Sequence, residues 1–229
     1  MRYEHIFFDL DRTLWDFEKN SSEALSELLK KYYDLTGGID EKKFIAYYQH
    51  INELLWDDYR KGFVTKEGLR FQRFYKTFLE FGIDNAELSE KMNNEYVNVS
   101  VLKTHLYSHT HEALTYLSSK YNLHIITNGF EETQYHKINN CKLSNYFKNV
   151  ITSEQAGEKK PHRKIFEYAL KTAGAKRQRS LMIGDHIEVD IIGARRVGID
   201  QIFVNHHNIP HNEKITYEVG ALSELIKLL

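Results

Sequence analysis

Two carboxylates that are two positions apart, Asp9 and Asp11, follow directly after the apolar run Ile6-Phe7-Phe8. A run of this kind is typical of a strand that is buried on both faces of a parallel sheet. Such a strand delivers the residues after it to the carboxyl edge of the sheet, where open α/β folds bind their ligands. Two acids at that edge repel each other unless a cation lies between them or one of them holds a proton. For an isolated pair, the alternative interpretation is a solvated turn with two surface aspartates. Other polar groups at the same edge would favour a functional site over such a turn.

Further polar side chains occupy comparable positions elsewhere in the chain. Thr127, Asn128 and Asp185 each follow an apolar run, and Lys160 stands just before a predicted helix. Carboxylates without a histidine or cysteine partner suit a hard cation such as Mg²⁺. A hydroxyl, an amide and an ammonium group suit the oxygens of a phosphoryl group. An aspartate among them can serve as the nucleophile and form an aspartyl-phosphate.

The elements that must position these groups alternate between strand and helix over most of the chain. The predicted strands are 6–8, 123–126, 150–152, 180–183 and 201–204, with helical patterns between the later ones. This alternation predicts an α/β fold with a doubly wound parallel sheet and right-handed crossovers.

The segment between the first and second predicted strands contains helical patterns only. Its four helices have as predicted caps or first residues Asn20 or Ser21, Asp40, Thr65 and Asn85. We therefore predict an all-helical insertion over residues 16–98, and a core domain formed by residues 1–15 and 99–229.

Charge and composition limit the classes of partner. The 31 basic residues balance 32 acidic ones, so no overall positive field would recruit a nucleic acid polymer. No apolar run approaches the roughly 20 residues that a membrane helix needs, so we expect no membrane partner. The single cysteine, Cys141, cannot form an internal disulfide, and no signal-like segment follows Met1. We therefore expect a cytoplasmic protein, and the oligomeric state stays open.

Four short motifs occur in the order that is typical of the haloacid dehalogenase-like hydrolases, and the chain resembles that superfamily over its whole length. The motifs are Asp9-Leu10-Asp11-Arg12-Thr13, Thr127-Asn128, Lys160-Pro161 and Gly184-Asp185 through Asp190. The helical insertion resembles the family's cap, which lies directly after the first motif. The resemblance thus implies a Rossmann-like core with an inserted helical cap domain.

The same resemblance implies a role for each motif residue. Asp9 resembles the nucleophile that attacks phosphorus. Asp11 resembles the general acid that protonates the leaving alcohol and then the base that activates water, a contribution of roughly 10²–10⁴ in rate. Thr127 and Asn128 resemble the residues that bind phosphate, and Lys160 (with Lys159 as second candidate) resembles the lysine that neutralises nucleophile and phosphate. Asp9, Asp185 and the main-chain carbonyl of Asp11 resemble the ligands of Mg²⁺. Asp190 resembles an outer acidic residue that supports the site.

The second aspartate of the first motif decides between two reaction classes. True dehalogenases of this superfamily carry a non-acidic residue at the position of Asp11, because no alcohol leaving group needs a proton. Phosphoryl transfer is therefore favoured over dehalogenation. Two residues depart from the usual pattern: His186 could crowd the metal site, and Arg12 could steer an anionic substrate, while a solvent-facing side chain is the alternative for each.

The helical insertion is rich in aromatic side chains, and residues 15–98 hold 16 of the 30 in the chain. Most of them are expected to fill the core of the cap, but an aromatic lining would also favour a flat base by stacking. The segment Thr13-Leu14-Trp15-Asp16-Phe17 resembles that of pyrimidine nucleotide 5′-phosphatases and of relatives that act on acylneuraminate phosphates. A nucleoside 5′-monophosphate is therefore the first expected substrate, and an acylneuraminate phosphate, another sugar phosphate or phosphoglycolate is the alternative. A phosphomutase and a phospho-ligand-binding protein without catalysis are the alternatives from other classes.

Overall fold

The computed structural model describes residues 2–229, which divide into two compact units. One unit consists of the chain through Phe17 together with Thr104–Leu229, and the other is Glu18–Lys103. No helix among the described residues is long and apolar enough to cross a membrane.

The first unit is built on one six-stranded sheet in which every neighbouring pair of strands is parallel. The strands are β1 (His5–Phe8), β2 (Asn122–Thr127), β3 (Phe147–Thr152), β4 (Ser180–Gly184), β5 (Asp200–Val204) and β6 (Tyr217–Val219), and their order in the sheet is β3-β2-β1-β4-β5-β6. The helices of this unit are α6 (Thr110–Ser118), α7 (Glu131–Asn140), α8 (Ser153–Ala156), α9 (Arg163–Ala173), α10 (Gly193–Arg196) and α11 (Leu225–Leu228), with a π-helical segment at Ile187–Ile192. The predicted fold class, a doubly wound parallel sheet, is confirmed.

The sheet is covered by apolar side chains on both faces, as the continuous apolar runs of its central strands predict. Ile6 and Phe8 of β1 belong to one core cluster and Phe7 to another, because successive side chains of a strand point to opposite faces. The last strand, β6, was not among the predicted strands. It has only three residues, of which only Val219 is buried, so it lacks the apolar run by which the others were found.

The second unit is entirely helical. It contains most of α1 (Phe17–Lys31), and α2 (Tyr33–Thr36), α3 (Glu41–Lys61), α4 (Lys66–Glu80) and α5 (Ala86–Ser100). Its core is formed largely by aromatic side chains from several helices, among them Phe44, Tyr48, Phe74, Phe78 and Tyr96. The inserted helical domain that was predicted as part of the fold class is therefore present, and most of its aromatic residues do serve packing.

The predicted helix starts in this unit are mostly correct. The side chains of Asp40, Thr65 and Asn85 each accept a hydrogen bond from the backbone N–H three residues later, which is the contact expected of a cap. The prediction for the first helix was wrong, because α1 already begins at Phe17, and Asn20 and Ser21 lie buried inside it.

Candidate active site

Three strands of the parallel sheet deliver polar side chains to one edge. Phe8 of β1 pairs with Ile125 of β2 and with Ile183 of β4, so the residues that follow these positions leave the sheet at the same end. The backbone N–H of Asp9 still bonds to the carbonyl of Ile183 at 2.9 Å, which continues the ladder by one residue. Asp9 and Asp185 therefore begin their loops side by side, and Thr127 ends β2 next to them.

A buried lysine joins two of the acids. Nζ of Lys160 lies 2.6 Å from Oδ1 of Asp9 and 2.6 Å from Oδ1 of Asp190, and all three residues are buried. Burial alone would lower the pKa of Lys160, but the carboxylates of Asp190 and Asp9 outweigh it and raise that pKa. The ammonium group is therefore held charged where it can neutralise an anion next to Asp9.

Three carboxylates at this edge lie close enough to share a cation. Oxygens of Asp9, Asp185 and Asp190 all lie within 4.8 Å of one another. Asp185 is oriented by the buried hydroxyl of Thr13, which donates to its Oδ1 at 2.8 Å. Asp190 lies directly over Gly184, where an added Cβ would be 2.5 Å from the carboxyl group of Asp190. The glycine before Asp185 thus leaves the space that the third carboxylate occupies.

The electrostatics of this cluster fit a divalent cation. Burial raises the pKa of Asp9 to about 7, with the charges of Asp190 and Asp11 adding to the effect and Lys160 opposing it. Burial and the charges of Asp9 and Asp190 also raise the pKa of Asp185 well above its usual range. One ammonium group is too little positive charge for these acids, and a hard cation bound by carboxylate oxygens would supply the rest.

Thr127 and Asn128 lie beside this cluster but engage different atoms. The hydroxyl oxygen of Thr127 accepts from the backbone N–H of Gly129 at 3.0 Å and from Nε2 of Gln134 at 2.8 Å, so its own proton is available for an incoming oxygen. The Asn128 side chain instead holds the main chain of Lys160: Nδ2 donates to the carbonyl at 2.9 Å, and Oδ1 accepts from the N–H at 2.7 Å. The sequence did not predict this contact between the Asn128 side chain and the main chain of Lys160. Direct binding of phosphate by the two loop residues stays a prediction.

Asp11 is held by two residues that the sequence analysis missed. Nζ of Lys137 lies 2.5 Å from Oδ1 of Asp11, and Nε2 of Gln134 lies 2.7 Å from Oδ2. Both residues are on α7 and are buried together with Ile138. One sequence signal could have identified these two residues. Both lie on the same face of the helix as Ile138, just after Thr127-Asn128-Gly129, and a glutamine and a lysine are unusual on the buried face of an amphipathic helix.

The two unusual motif residues have structural partners. The guanidinium of Arg12 lies 4.8 Å from the ring centre of Phe17, and its backbone adopts a φ of 64°. Nδ1 of His186 accepts from the backbone N–H of Val189 at 3.4 Å, and the backbone N–H of His186 donates to Oδ2 of Asp190 at 3.1 Å. His186 thus helps to begin the π-helical segment that carries Asp190, and its ring is not simply solvent-facing.

The structure therefore brings the sequence-predicted residues together at one edge of the first unit. Asp9, Lys160, Asp190, Asp185 and Thr13 form one connected group, and Asp11 belongs to a second group with Gln134, Lys137 and Thr127. The lysine that reaches Asp9 is Lys160.

Comparisons with known proteins agree with this geometry. The family model of the haloacid dehalogenase-like hydrolases matches residues 6–204. The chain is 32% identical to the pyrimidine 5′-nucleotidase YjjG of Escherichia coli (strain K12), over all of this chain and 99% of the relative. It is also 32% identical to the pyrimidine 5′-nucleotidase PynA of Streptococcus pneumoniae (strain ATCC BAA-255 / R6), over all of this chain and 96% of the relative. The resemblance to this subgroup, predicted from residues 13–17, is thereby confirmed.

A solved structure shows the same fold over the whole chain. The crystal structure of the putative HAD-hydrolase YfnB from Bacillus subtilis bound to magnesium has a TM-score of 0.91 at 26% identity, and the match covers all of this chain and 99% of that one. Three findings indicate the same family. They are the parallel sheet with its acids at one edge, the family model that spans most of the sequence, and the relatives of matching length. The chain belongs to the haloacid dehalogenase-like hydrolases.

Proposed function

We propose that this chain is a Mg²⁺-dependent phosphomonoesterase that works through an aspartyl-phosphate on Asp9. The observation that supports it most is the pairing of Asp9 with the buried ammonium of Lys160 at 2.6 Å, beside a second acid, Asp11, that has its own partners. A nucleophile, a fixed positive charge and a separate acid–base group are the three functions that two-step phosphate hydrolysis needs.

In the first step a carboxylate oxygen of Asp9 attacks phosphorus, and the bond from phosphorus to the ester oxygen breaks. Asp11 in its protonated form gives its proton to that oxygen, so the product leaves as an alcohol. Lys160 neutralises charge on Asp9 and on the phosphoryl oxygens, and the hydroxyl of Thr127 donates to one of those oxygens. Fixed donors of this kind are typically worth 10²–10³ in rate each.

In the second step Asp11, now a carboxylate, accepts a proton from water as the water oxygen attacks phosphorus. The bond from phosphorus to the Asp9 oxygen breaks, inorganic phosphate leaves, and both aspartates return to their starting states. The same side chain thus acts as the acid in the first half-reaction and as the base in the second.

The residues present fit Mg²⁺ because they offer only hard oxygen donors. Asp9, Asp185 and the main-chain carbonyl of Asp11 would hold the ion, and Asp190 supports them by binding Lys160 and the N–H of His186. When bound, the cation supplies the positive charge that lets carboxylates and phosphate coexist at this edge.

The substrate class that we propose is a nucleoside 5′-monophosphate. It rests on the two pyrimidine 5′-nucleotidases among the relatives, each 32% identical over the full length of this chain. Another small phosphomonoester, such as an acylneuraminate phosphate, a sugar phosphate or phosphoglycolate, is the alternative within the same chemistry. The proposed partner is in either case a small phosphorylated metabolite.

A substrate panel with a nucleophile variant tests the proposal. Purified protein with Mg²⁺ is assayed for phosphate release from pyrimidine and purine nucleoside monophosphates, sugar phosphates, phosphoglycolate and 4-nitrophenyl phosphate. Asp9→Asn is expected to lower kcat by at least about 10⁴-fold, whereas Asp34→Asn, the same change at an exposed position, leaves it unchanged. Retained hydrolysis in Asp9→Asn would refute the mechanism. Phosphate transfer to a sugar without net release would indicate a phosphomutase, and tight binding without turnover on any substrate would indicate a binding protein.

A further inference from the structure

The Asp11 carboxylate is held on both of its oxygens by one helix. Oδ1 accepts from Lys137 at 2.5 Å and Oδ2 from Gln134 at 2.7 Å. The two donors are three residues apart on α7 and so lie on the same face of it. We refer to Gln134 and Lys137 together as the α7 pair.

The two lysines of the site divide its acids between them. Lys160 binds Asp9 and Asp190, whereas Lys137 binds Asp11. The cluster of carboxylates that could share a cation contains Asp9, Asp185 and Asp190, and the side chain of Asp11 is not part of it. Lys137 thus has a position that keeps the Asp11 carboxylate separate from the acids that would bind metal.

Lys137 is itself held firmly. Its Nζ lies 3.9 Å from the ring centre of Trp15 and 5.9 Å from that of Phe17, and the residue is only 5% exposed. A cation over an aromatic face is weakly stabilised, but burying a lysine costs more than that contact returns unless the lysine is paired. The contact with Asp11 is therefore what makes this position tolerable for a lysine.

Gln134 connects Asp11 to the loop that we propose binds phosphate. Its Nε2 donates both to Asp11 and to the hydroxyl oxygen of Thr127, at 2.7 and 2.8 Å. The residue is fully buried, and its Oε1 has no hydrogen-bond partner among the described residues. Both amide protons are thus directed at the site, at the cost of an unsatisfied acceptor.

We propose that the α7 pair positions Asp11 for proton transfer to and from the substrate oxygen. Gln134 and Lys137 fix the direction of the Asp11 carboxyl group relative to Thr127, so that the group faces the leaving oxygen of a bound phosphoester. This inference rests on the proposed function, because it assigns the pair to the acid–base step of that reaction. Lys137 acts through Asp11 alone, whereas Gln134 also contacts the hydroxyl of Thr127.

The dependence of rate on the leaving group separates positioning of Asp11 from a general structural role. A nucleoside monophosphate expels an alkoxide that needs a proton, whereas 4-nitrophenyl phosphate expels a stable phenolate that does not. The ratio kcat/KM reports the steps up to formation of the aspartyl-phosphate, so it contains the first proton transfer only.

The test compares kcat/KM for these two substrates in wild type, Asp11→Asn, Lys137→Met and Lys137→Arg. Lys137→Met is expected to lose about 10–100-fold on the nucleoside monophosphate and less than about threefold on 4-nitrophenyl phosphate. Asp11→Asn should show the same selectivity with a larger loss, and Lys137→Arg should recover part of the nucleotide activity. Lys171→Met, the same change at an exposed position of α9, is the matched control and should resemble wild type on both substrates.

Other outcomes overturn the inference in distinguishable ways. Equal losses on the two substrates in Lys137→Met, or wild-type rates on both, would overturn the positioning role while the proposed phosphatase stands. An inactive wild type would overturn the proposed function and this role together. If Lys137→Met does not fold, Lys137→Gln, which removes the charge but keeps a hydrogen-bond donor, takes its place with the same expected selectivity, and a uniform loss there counts against the proposal.

Discussion

A methyl group on Gly129 would lie 1.7 Å from Nε2 of Gln134, so the two residues can coexist only because position 129 has no side chain. Gly129 follows Thr127-Asn128 directly, and Gln134 reaches back over it to Asp11 and Thr127. A glycine in a loop that bends toward a ligand is often explained by backbone freedom. At Gly129 the reason is space for a neighbouring side chain.

The first prediction concerns this contact. Gly129→Ala should displace the end of Gln134 and lower kcat/KM for nucleoside monophosphates by about tenfold or more, with a smaller effect on thermal stability. Gln134→Ala should give a similar loss. Since both variants remove the same contact, the double variant is expected to be no worse than Gln134→Ala alone. Additive losses on a logarithmic scale would contradict this explanation.

The second prediction concerns the ion pair between Lys160 and Asp9. Lys160→Met leaves Asp9 and Asp190 buried without their shared cation, so the free energy of unfolding near pH 8 should fall by about 3–5 kcal/mol. Activity should fall by at least about 10²-fold. Urea denaturation and steady-state kinetics measure the two effects, with Lys171→Met as the control for the change of residue type. A variant as stable as wild type would show that the pair contributes little to folding.

The third prediction concerns the hydroxyl that orients Asp185. Thr13→Val keeps the shape of the buried side chain but removes the donor to Oδ1, so the affinity for Mg²⁺ should fall by about 10–100-fold. Thr13→Ser keeps the donor and should retain most of that affinity. Isothermal titration with Mg²⁺ in the absence of substrate gives the comparison independently of turnover. Equal affinities in the valine and serine variants would exclude this role.

The fourth prediction concerns a buried histidine of the sheet. His124 is 2% exposed, accepts from Nδ2 of Asn149 at 2.9 Å and lies 3.1 Å from His5. Burial lowers its pKa to about 4, and the charges of His5 and Lys148 add to the effect. In the unfolded chain the same group titrates near pH 6.5.

Between these two pH values this histidine binds more protons in the unfolded chain than in the folded one, so its own contribution weakens the fold as the pH falls. The unfavourable contribution of this histidine is close to zero at pH 7.5 and reaches about 2 kcal/mol at pH 5. In urea denaturation, the free energy of unfolding at pH 5 relative to that at pH 7.5 should be higher in His124→Gln than in wild type by that amount. His136→Gln, at an exposed histidine of α7, should not change it. The His124 variant keeps the pH dependence of the other groups, because burial also lowers the pKa of His5 and raises that of Asp9.

Much of the first unit could be predicted because its central strands are continuous apolar runs. Ile6-Phe7-Phe8 and Leu181-Met182-Ile183 are buried throughout, and such runs are typical of parallel strands covered on both sides. Residues at the carboxyl ends of such strands must lie at one edge of the sheet, which is why the sequence alone groups Asp9, Thr127 and Asp185. Strand β6 carried no such run and was missed for that reason.

The amino-acid sequence by itself thus determined the fold class, the sheet edge and the kind of chemistry at that edge, since local apolar patterns and residue types are sufficient for these. The tertiary structure decided which side chains hold which. Asn128 binds the main chain of Lys160, 32 residues away, and Lys137 binds Asp11, 126 residues away. These contacts depend on how helices pack against strand ends and on which helix face is buried. No pattern within a short segment specifies them, because each partner's direction is set by packing with a distant part of the chain.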